Sequence, residues 1–233
     1  MKVLVIDVGG SSVKMHGTGW PEPKRIESGS DLTPEKLVEI VRDSLQEWEC
    51  DVVALGYPGE AARLVPKEEP GNLALGWVGF DFASAFGKPT RLVNDAAMQA
   101  LGGYTGGRML FLGLGTGLGS AFVTDRVVLP LELGRLCLGR SASTLSDRLG
   151  NPGLEKMGKA RWNRLVIETA TMLRGAFAAD YVVLGGGNAR NVGALPDGVR
   201  RGGNDDAFVG GFRLWEADVE LHETHSTVWR IVP

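Results

Sequence analysis

Asp7 ends a run of apolar residues and opens DVGGSSVK, in which Gly9, Gly10, Ser11 and Ser12 precede Lys14. Glycine lets backbone N–H groups point into a concavity, and small hydroxyls add donors without bulk, so a turn of this composition suits an anion. Lys14 supplies a counter-charge, although an exposed lysine in a plain hairpin reads the same way. LGLGTGLGS repeats the design with Gly115, Thr116 and Gly117, and VVLGGGN adds Gly185, Gly186, Gly187 and Asn188. None of these is G-x-x-x-x-G-K-[ST], and GLGTGLG leads into strand-like residues, which fits a dinucleotide fold poorly. Two related turns and a third favour phosphate binding over unrelated solvated hairpins. Asn94 and Asp95 follow TRLV and open a helical pattern. Both residue types cap helices, and phosphoryl transfer also needs a rigidly held carboxylate near the attacking hydroxyl. Asp7 as a mere strand-end turn residue would leave a carboxylate unpaired at the mouth of a core, which disfavours that reading.

The elements around these residues alternate. Residues 2–7 pair back with 12–18 across the first glycine turn. TPEKLVEIVRDSLQEW (33–48) reads as a helix capped by Thr33, with Pro34 in the first turn and Leu37, Ile40, Val41, Leu45 and Trp48 on one face. DVVALGYPG and TRLV are strands, and 94–102 begins a helix. The second half restates the first: strand, glycine turn and strand over 109–123, a third strand over 127–131, a helix near 160–178, then a strand and a helix start over 180–192. Strand–helix alternation of this kind is α/β, and its recurrence indicates an internal duplication, hence a clamp of two similar halves.

Composition narrows the function. The chain has 233 residues, 43% hydrophobic and 23% charged, with a net charge of −3. That balance argues against nucleic acid as the main partner. No run approaches a membrane helix, and the N-terminus goes straight into a strand, so a cytoplasmic protein without membrane attachment is expected. Cys50 and Cys137, the two cysteines, cannot build a zinc site, and no structural zinc is expected. His222, Glu223 and His225 do not form H-E-x-x-H and read as a solvated tail.

The turns, VND at 93–95 and VVLGGGN fall in the order of the actin/hexokinase/Hsp70 ATPase superfamily. More narrowly, the chain resembles the ROK (repressor, open reading frame, kinase) sugar kinases, in particular the polyphosphate-glucokinase-like branch. GYPGE, GNLALGW, LELGRL and RRGGNDDAFVGGFRLWE extend the likeness over nearly the whole chain. The resemblance implies a duplicated, ribonuclease-H-like, two-domain fold with an interdomain cleft. One domain would be 1–104, completed by a helix near 205–217; the other would be 105–204, with a tail at 218–233. It implies a kinase moving a phosphoryl group from ATP or polyphosphate to a sugar hydroxyl, with Mg²⁺, and a homodimer. Residue by residue, Gly9 to Ser12 would hold the transferred phosphate and Asp7 would bind Mg²⁺ through water. Gly115 to Gly117 would hold the remaining donor phosphates, and Gly185 to Asn188 would sit beside the adenosine. Asp95 would be the base, with Asn94, Asn72 and Glu132 on the acceptor.

The family pattern has histidine three residues after this glutamate; here Arg135 stands there, a permanent cation that cannot accept a hydrogen bond. Where related sequences carry a Glu-Asp pair, this one has Ser146-Asp147. Two alternatives follow: a nucleotide- or sugar-binding sensor with weakened catalysis, or a kinase whose anionic or non-sugar acceptor is clasped by Arg135. The tryptophans read as core and interface anchors, with Trp77 also a candidate for lining the acceptor cleft.

Overall fold

The computed structural model describes the chain apart from residues 11, 46–47, 63, 126, 139–141, 204, 217, 222–226 and 231–233; for 218–221 and 227–230 it describes the backbone alone. Ser11 and the tail residues His222, Glu223 and His225 therefore lie outside the described residues.

The first unit contains β1 (Val3–Val8), β2 (Ser12–Gly17), β3 (Lys24–Glu27), α1 (Pro34–Leu45), β4 (Val52–Tyr57), a small hairpin of β5 (Ala61–Ala62) and β6 (Val65–Pro66), α2 (Phe82–Phe86), β7 (Thr90–Asn94) and α3 (Asp95–Gly103). The second contains β8 (Met109–Leu114), β9 (Leu118–Thr124), β10 (Val127–Leu131), α4 (Leu145–Leu149), α5 (Asn151–Met157), α6 (Lys159–Ala176), β11 (Tyr181–Gly185), β12 (Val199–Arg201) and α7 (Asp206–Arg213). Two further strands, β13 (Asp218–Leu221) and β14 (Thr227–Arg230), follow. Single 3₁₀ turns occupy Leu133–Arg135 and Ala189–Asn191.

The first sheet runs β3-β2-β1-β4-β7, and the second runs β12-β11-β8-β9-β10-β14-β13. In each, a hairpin and a third antiparallel strand lie on one side of the first strand, and two parallel strands lie on the other. The duplication read from the sequence is thus a repeated topology. Beyond it, 218–221 and 227–230 do not form a solvated tail: their backbones pair with each other and with β10, extending the second sheet.

Strand alternation places the layers. Along β1, Val3 and Val5 face a central cluster with α3 and α7, whereas Leu4, Ile6 and Val8 face a separate cluster with α1. Along β8, Met109 and Phe111 join the central cluster, while Leu110, Leu112 and Leu114 face α6. Both sheets therefore bury both faces, and α3 and α7 lie between them.

The two central helices approach closely because they are built of small residues. A β-carbon on Gly102 would stand 1.8 Å from the Asp206 carbonyl oxygen, and one on Gly210 would stand 1.8 Å from that of Met98. Backbone cannot yield as a side chain can, so these glycines set the distance between α3 and α7. The predicted first helix ends at Leu45, and Thr33 caps it by accepting the Lys36 N–H at 3.3 Å. Trp77 is fully buried beside Tyr57 and Phe82, so it anchors the core and does not line a cleft.

Candidate functional site

Asp7 is the penultimate residue of β1 and shares the face of Val3 and Val5, toward α3. It is buried, and its Oδ2 accepts from Lys14 Nζ at 3.2 Å, directly across the β1–β2 register. Burial pushes its carboxyl up, with Lys14 opposing. Lys14 is thus the counter-charge of Asp7.

Asp95 opens α3. Asn94 caps this helix, its Oδ1 accepting the Ala97 N–H at 3.1 Å, while Asp95 Oδ1 accepts the Ala96 N–H at 2.8 Å. Burial first, then the neighbouring Asp7 and the more weakly felt Glu132, push the Asp95 carboxyl up to about 7, against the opposing Ala96 hydrogen bond. The shift ties Asp7, Asp95 and Glu132 to one neighbourhood although they come from three separate elements. Asn94 is more committed: its Nδ2 also donates to the Gly59 carbonyl at 3.2 Å.

The first two glycine turns meet. A β-carbon on Gly10 would stand 1.8 Å from Asn72 Nδ2 and 3.4 Å from Thr116 Oγ1. Gly10 is therefore the contact point of the first turn, the Asn72 loop and the second turn. The Gly9 N–H donates to the Ser12 carbonyl at 3.0 Å, which tightens the first turn, while the Ser12 side chain is buried. In the second turn the Gly115 N–H donates to the Gly117 carbonyl at 3.1 Å.

The third glycine run is stitched to the second turn. The Asn188 N–H donates to the Leu114 carbonyl at 2.9 Å, and its Nδ2 lies 2.7 Å from Asn151 Oδ1 and 3.4 Å from the Gly115 carbonyl. Gly186 has φ +77°, and its added β-carbon would meet the Leu114 carbonyl oxygen at 2.5 Å. Only glycine suits that conformation and that approach. Gly187 is exposed alongside. The segment after β11, read as a helix start, is the 3₁₀ turn Ala189–Asn191.

Arg135 is held by two carboxylates. Its Nη2 lies 2.7 Å from both oxygens of Glu68, and its Nε lies 3.4 Å from Glu132 Oε2. Burial pushes the Glu132 carboxyl up, with Arg135 the main opposing influence. Ser146 packs between the second glycine turn and the 3₁₀ turn Leu133–Arg135. Its Oγ accepts the Leu118 N–H at 3.1 Å and sits against Gly117 and Gly134, behind the second turn. Asp147 forms a reciprocal capping box with Thr144 on α4.

Sequence reasoning missed Glu68, Asn151 and the Ser146 buttress. Glu68 stands four residues before Asn72 in KEEPGN, but its pairing with Arg135 spans 67 positions and no local pattern announces it. Among the described residues no cluster of three or more metal-ligating side chains occurs, and no helix is long and apolar enough to cross a membrane. Two surface concavities, of about 380 Å³ beside His16 and Phe212 and about 480 Å³ between α1 and α2, hold none of these groups, so the site is assigned by chemistry rather than by cavity size.

No family model and no curated protein matches the chain. Solved structures do. An inorganic polyphosphate/ATP-glucomannokinase from Arthrobacter sp. strain KM superposes with a TM-score of 0.76 at 22% identity, over 90% of this chain and 96% of the other. A ROK family glucokinase from Streptomyces griseus, in complex with glucose and AMPPNP, gives 0.70 at 14% identity, over 91% and 98%. A ROK hexokinase from Thermus thermophilus gives 0.63 at 22%, over 91% and 96%. With both sheets in the same order and nearly the full length of these structures covered, the chain has the fold of the ROK-type, actin-like sugar kinases.

Proposed function

We propose that this protein is a phosphotransferase that moves a phosphoryl group from ATP or polyphosphate to a hydroxyl of a sugar-like acceptor. The observation that carries the reading is Asp95, a carboxyl raised to about 7 at the rigid start of α3 and electrostatically coupled to Asp7. Close by β1, the first glycine turn meets the second at Gly10 and Thr116. A base works best when its pKa lies near the working pH. Structures that share the fold include a glucokinase and a glucomannokinase, which supports the same class here.

In this reading Asp95 takes the proton of the acceptor hydroxyl as the new P–O bond forms and the bond to the donor's bridging oxygen breaks. The turn Gly9 to Ser12 holds the transferred phosphoryl group and the turn Gly115 to Gly117 holds the donor phosphates left behind, through N–H groups other than those of Gly9 and Gly115, which close the turns themselves. Gly185 to Asn188 flank the adenosine of ATP, and Asn72, Asn94 and Glu132 hydrogen-bond acceptor hydroxyls. Units 1–104 with 205–217 and 105–204 act as the two jaws. Asp7 fits a Mg²⁺ role: a buried carboxylate whose ion pair with Lys14 uses one oxygen is destabilised by its own burial, which a second cation relieves. Mg²⁺ bound there through water would supply charge neutralisation of the phosphates. A cytoplasmic setting, in keeping with two free cysteines, and a homodimer complete the proposal.

The test is a transfer screen crossing ATP and polyphosphate with neutral hexoses, amino sugars and sugar phosphates, run beside Asp95→Asn. Turnover of a neutral sugar that Asp95→Asn abolishes is expected. Nucleotide or sugar binding without turnover on any acceptor would replace the kinase with a sensor.

A further inference from the structure

Arg135 ends the 3₁₀ turn Leu133–Arg135 of the second unit, directly after the acceptor-side Glu132. Its principal partner comes from the first unit. Glu68 follows β6, its backbone carbonyl accepts the Tyr57 hydroxyl, and its Oε1 accepts the Glu60 N–H at 3.2 Å. The guanidinium grips both Glu68 oxygens through Nη2 and reaches Glu132 through Nε. This ion pair joins the two sheet units, whereas those of Asp7, Asp31 and Asp180 each stay within a unit.

Its placement sets what it can do. The Arg135 side chain is 61% exposed, and a pair that wet contributes little to holding a fold together. Its role is therefore to place side chains rather than to staple the fold. The groups around it are acidic: Glu68, Glu132 and Glu60 all bear on it, and Glu132 in turn bears on Asp95. An anionic acceptor would have to displace two carboxylates from the guanidinium and then sit among the others, whereas hydroxyls can donate to carboxylates already fixed in place.

We propose that Arg135 is a positioning residue that ties Glu68 of the first unit to Glu132 of the second across the acceptor end of the cleft, and thereby fixes Glu132 for an uncharged polyol. This deepens the kinase reading and rests on it for the identity of the acceptor; the tie itself is a matter of geometry and is tested separately.

With a neutral sugar that wild type phosphorylates, Arg135→Ala is expected to raise the acceptor KM about tenfold while kcat and donor KM move less than about twofold. Glu68→Gln should reproduce the rise, and the double variant should be no worse than Arg135→Ala alone, because both break one contact. Arg135→Lys, a compact charge without the fork, should recover the KM only in part. An unchanged acceptor KM, additive single variants, or a wild-type preference for sugar phosphates or sugar acids would overturn the proposal.

A readout independent of turnover uses spin labels on Glu35→Cys and Lys159→Cys, on the outer helices of the two units, in a Cys137→Ser background. Arg135→Ala, or high salt on wild type, should broaden the inter-unit distance distribution. An unaltered distribution would overturn the tie even if the kinase reading stands. Failure of wild type to phosphorylate anything would sink the kinase reading while leaving this distance test to decide the tie.

Discussion

β1 and β8 hold the same place in two sheets of the same order, and their registers can be laid side by side. Asp7 lies opposite Lys14 on one neighbour and Gly56 on the other. The matching residue in the second unit is Gly113, opposite Gly119 and Gly185. One repeat has a carboxylate and its cation where the other has three residues without side chains. The same contrast recurs at the first position of the central helices. Asp95 opens α3 among other carboxylates, whereas Asp206 opens α7 with its Oδ2 accepting the Gly203 N–H at 2.7 Å, against the end of α3. Both carboxyls are raised by burial, but Asp206 is relieved by Arg200 and Arg213, while Asp95 is raised further by Asp7. The repeats differ in their insertions as well. Residues 58–89 of the first unit carry Glu68 and Asn72, and residues 132–158 of the second carry Ser146 and Asn151 behind the donor turn. Duplication thus supplies two backbone cradles, and side-chain charge was placed in only one of them.

The sharpest way to break this contrast is to neutralise the charged side. Asp95→Asn should lower kcat by about 10³-fold, within the range of a lost general base, while Asp206→Asn should leave kcat within a few-fold. Stability should move oppositely. Because the folded pKa of Asp95 lies above the unfolded value of 3.8, the native state binds the extra proton between pH 4 and 7, so stability falls as pH rises through that window. Asp95→Asn removes this loss, and partial exposure of the side chain discounts its size to about 1–2 kcal/mol. Melting at pH 8 should show the variant more stable than wild type, and melting at pH 4 should show the two alike.

The coupling between the two carboxylates gives a narrower prediction. The Asp95 titration, followed by carboxyl ¹³C shifts, should centre near 7 in wild type and move to lower pH in Asp7→Asn, because the second-largest influence raising it is gone. An unmoved titration would mean that the first strand and the helix start do not share a site.

How much of this was legible in the sequence follows from the range of the interactions. The glycine turns and their strands are local: DVGGSSVK and LGLGTGLGS each fold on themselves in the registers of β1–β2 and β8–β9, and the Asn94 cap contacts Ala97 three residues on. Continuous apolar runs such as VVAL and YVVL likewise mark strands buried on both faces. What could not be read was pairing across the chain. The Arg135–Glu68 pair joins residues 67 positions apart, and the packing of Ser146 behind the second turn depends on where α4 lies, so neither contact has a local signature. Thr227–Arg230 joins β10 through strand pairing about 100 residues distant; TVWRIV has the β-branched and aromatic residues that favour a strand, but its partner is not legible locally. Trp77 follows a site loop yet points into the core, where aromatic burial outweighs proximity in sequence.

The uncharged side can be sharpened by comparing two of its glycines. Gly186→Ala puts a β-carbon at positive φ and against the Leu114 backbone, and should cost about 2 kcal/mol or more in chemical denaturation. A β-carbon on Gly115 meets nothing within 4 Å, so Gly115→Ala should change stability by less than about 0.5 kcal/mol. Its methyl group would nevertheless occupy space offered to the donor phosphates, and the donor KM should rise about tenfold. A destabilised Gly115→Ala with normal donor KM would show the second turn to be a folding element alone.

The smallest effect expected is at Ser146, and it separates the donor side from the acceptor side. Its Oγ accepts the Leu118 N–H immediately after the second turn and lies against Gly117 and Gly134, where β-carbons would stand 3.1 Å and 2.4 Å away. Ser146→Ala keeps the Cβ and removes the acceptor, leaving a part-buried N–H without that partner, at a cost of about 1 kcal/mol. On the proposed reading the turn it braces holds the donor phosphates, so the donor KM should rise about two- to threefold while the acceptor KM stays put. If the acceptor KM moved instead, Ser146 would act at the sugar end, as its position in the sequence pattern implies, and the division of labour between the two units would have to be redrawn.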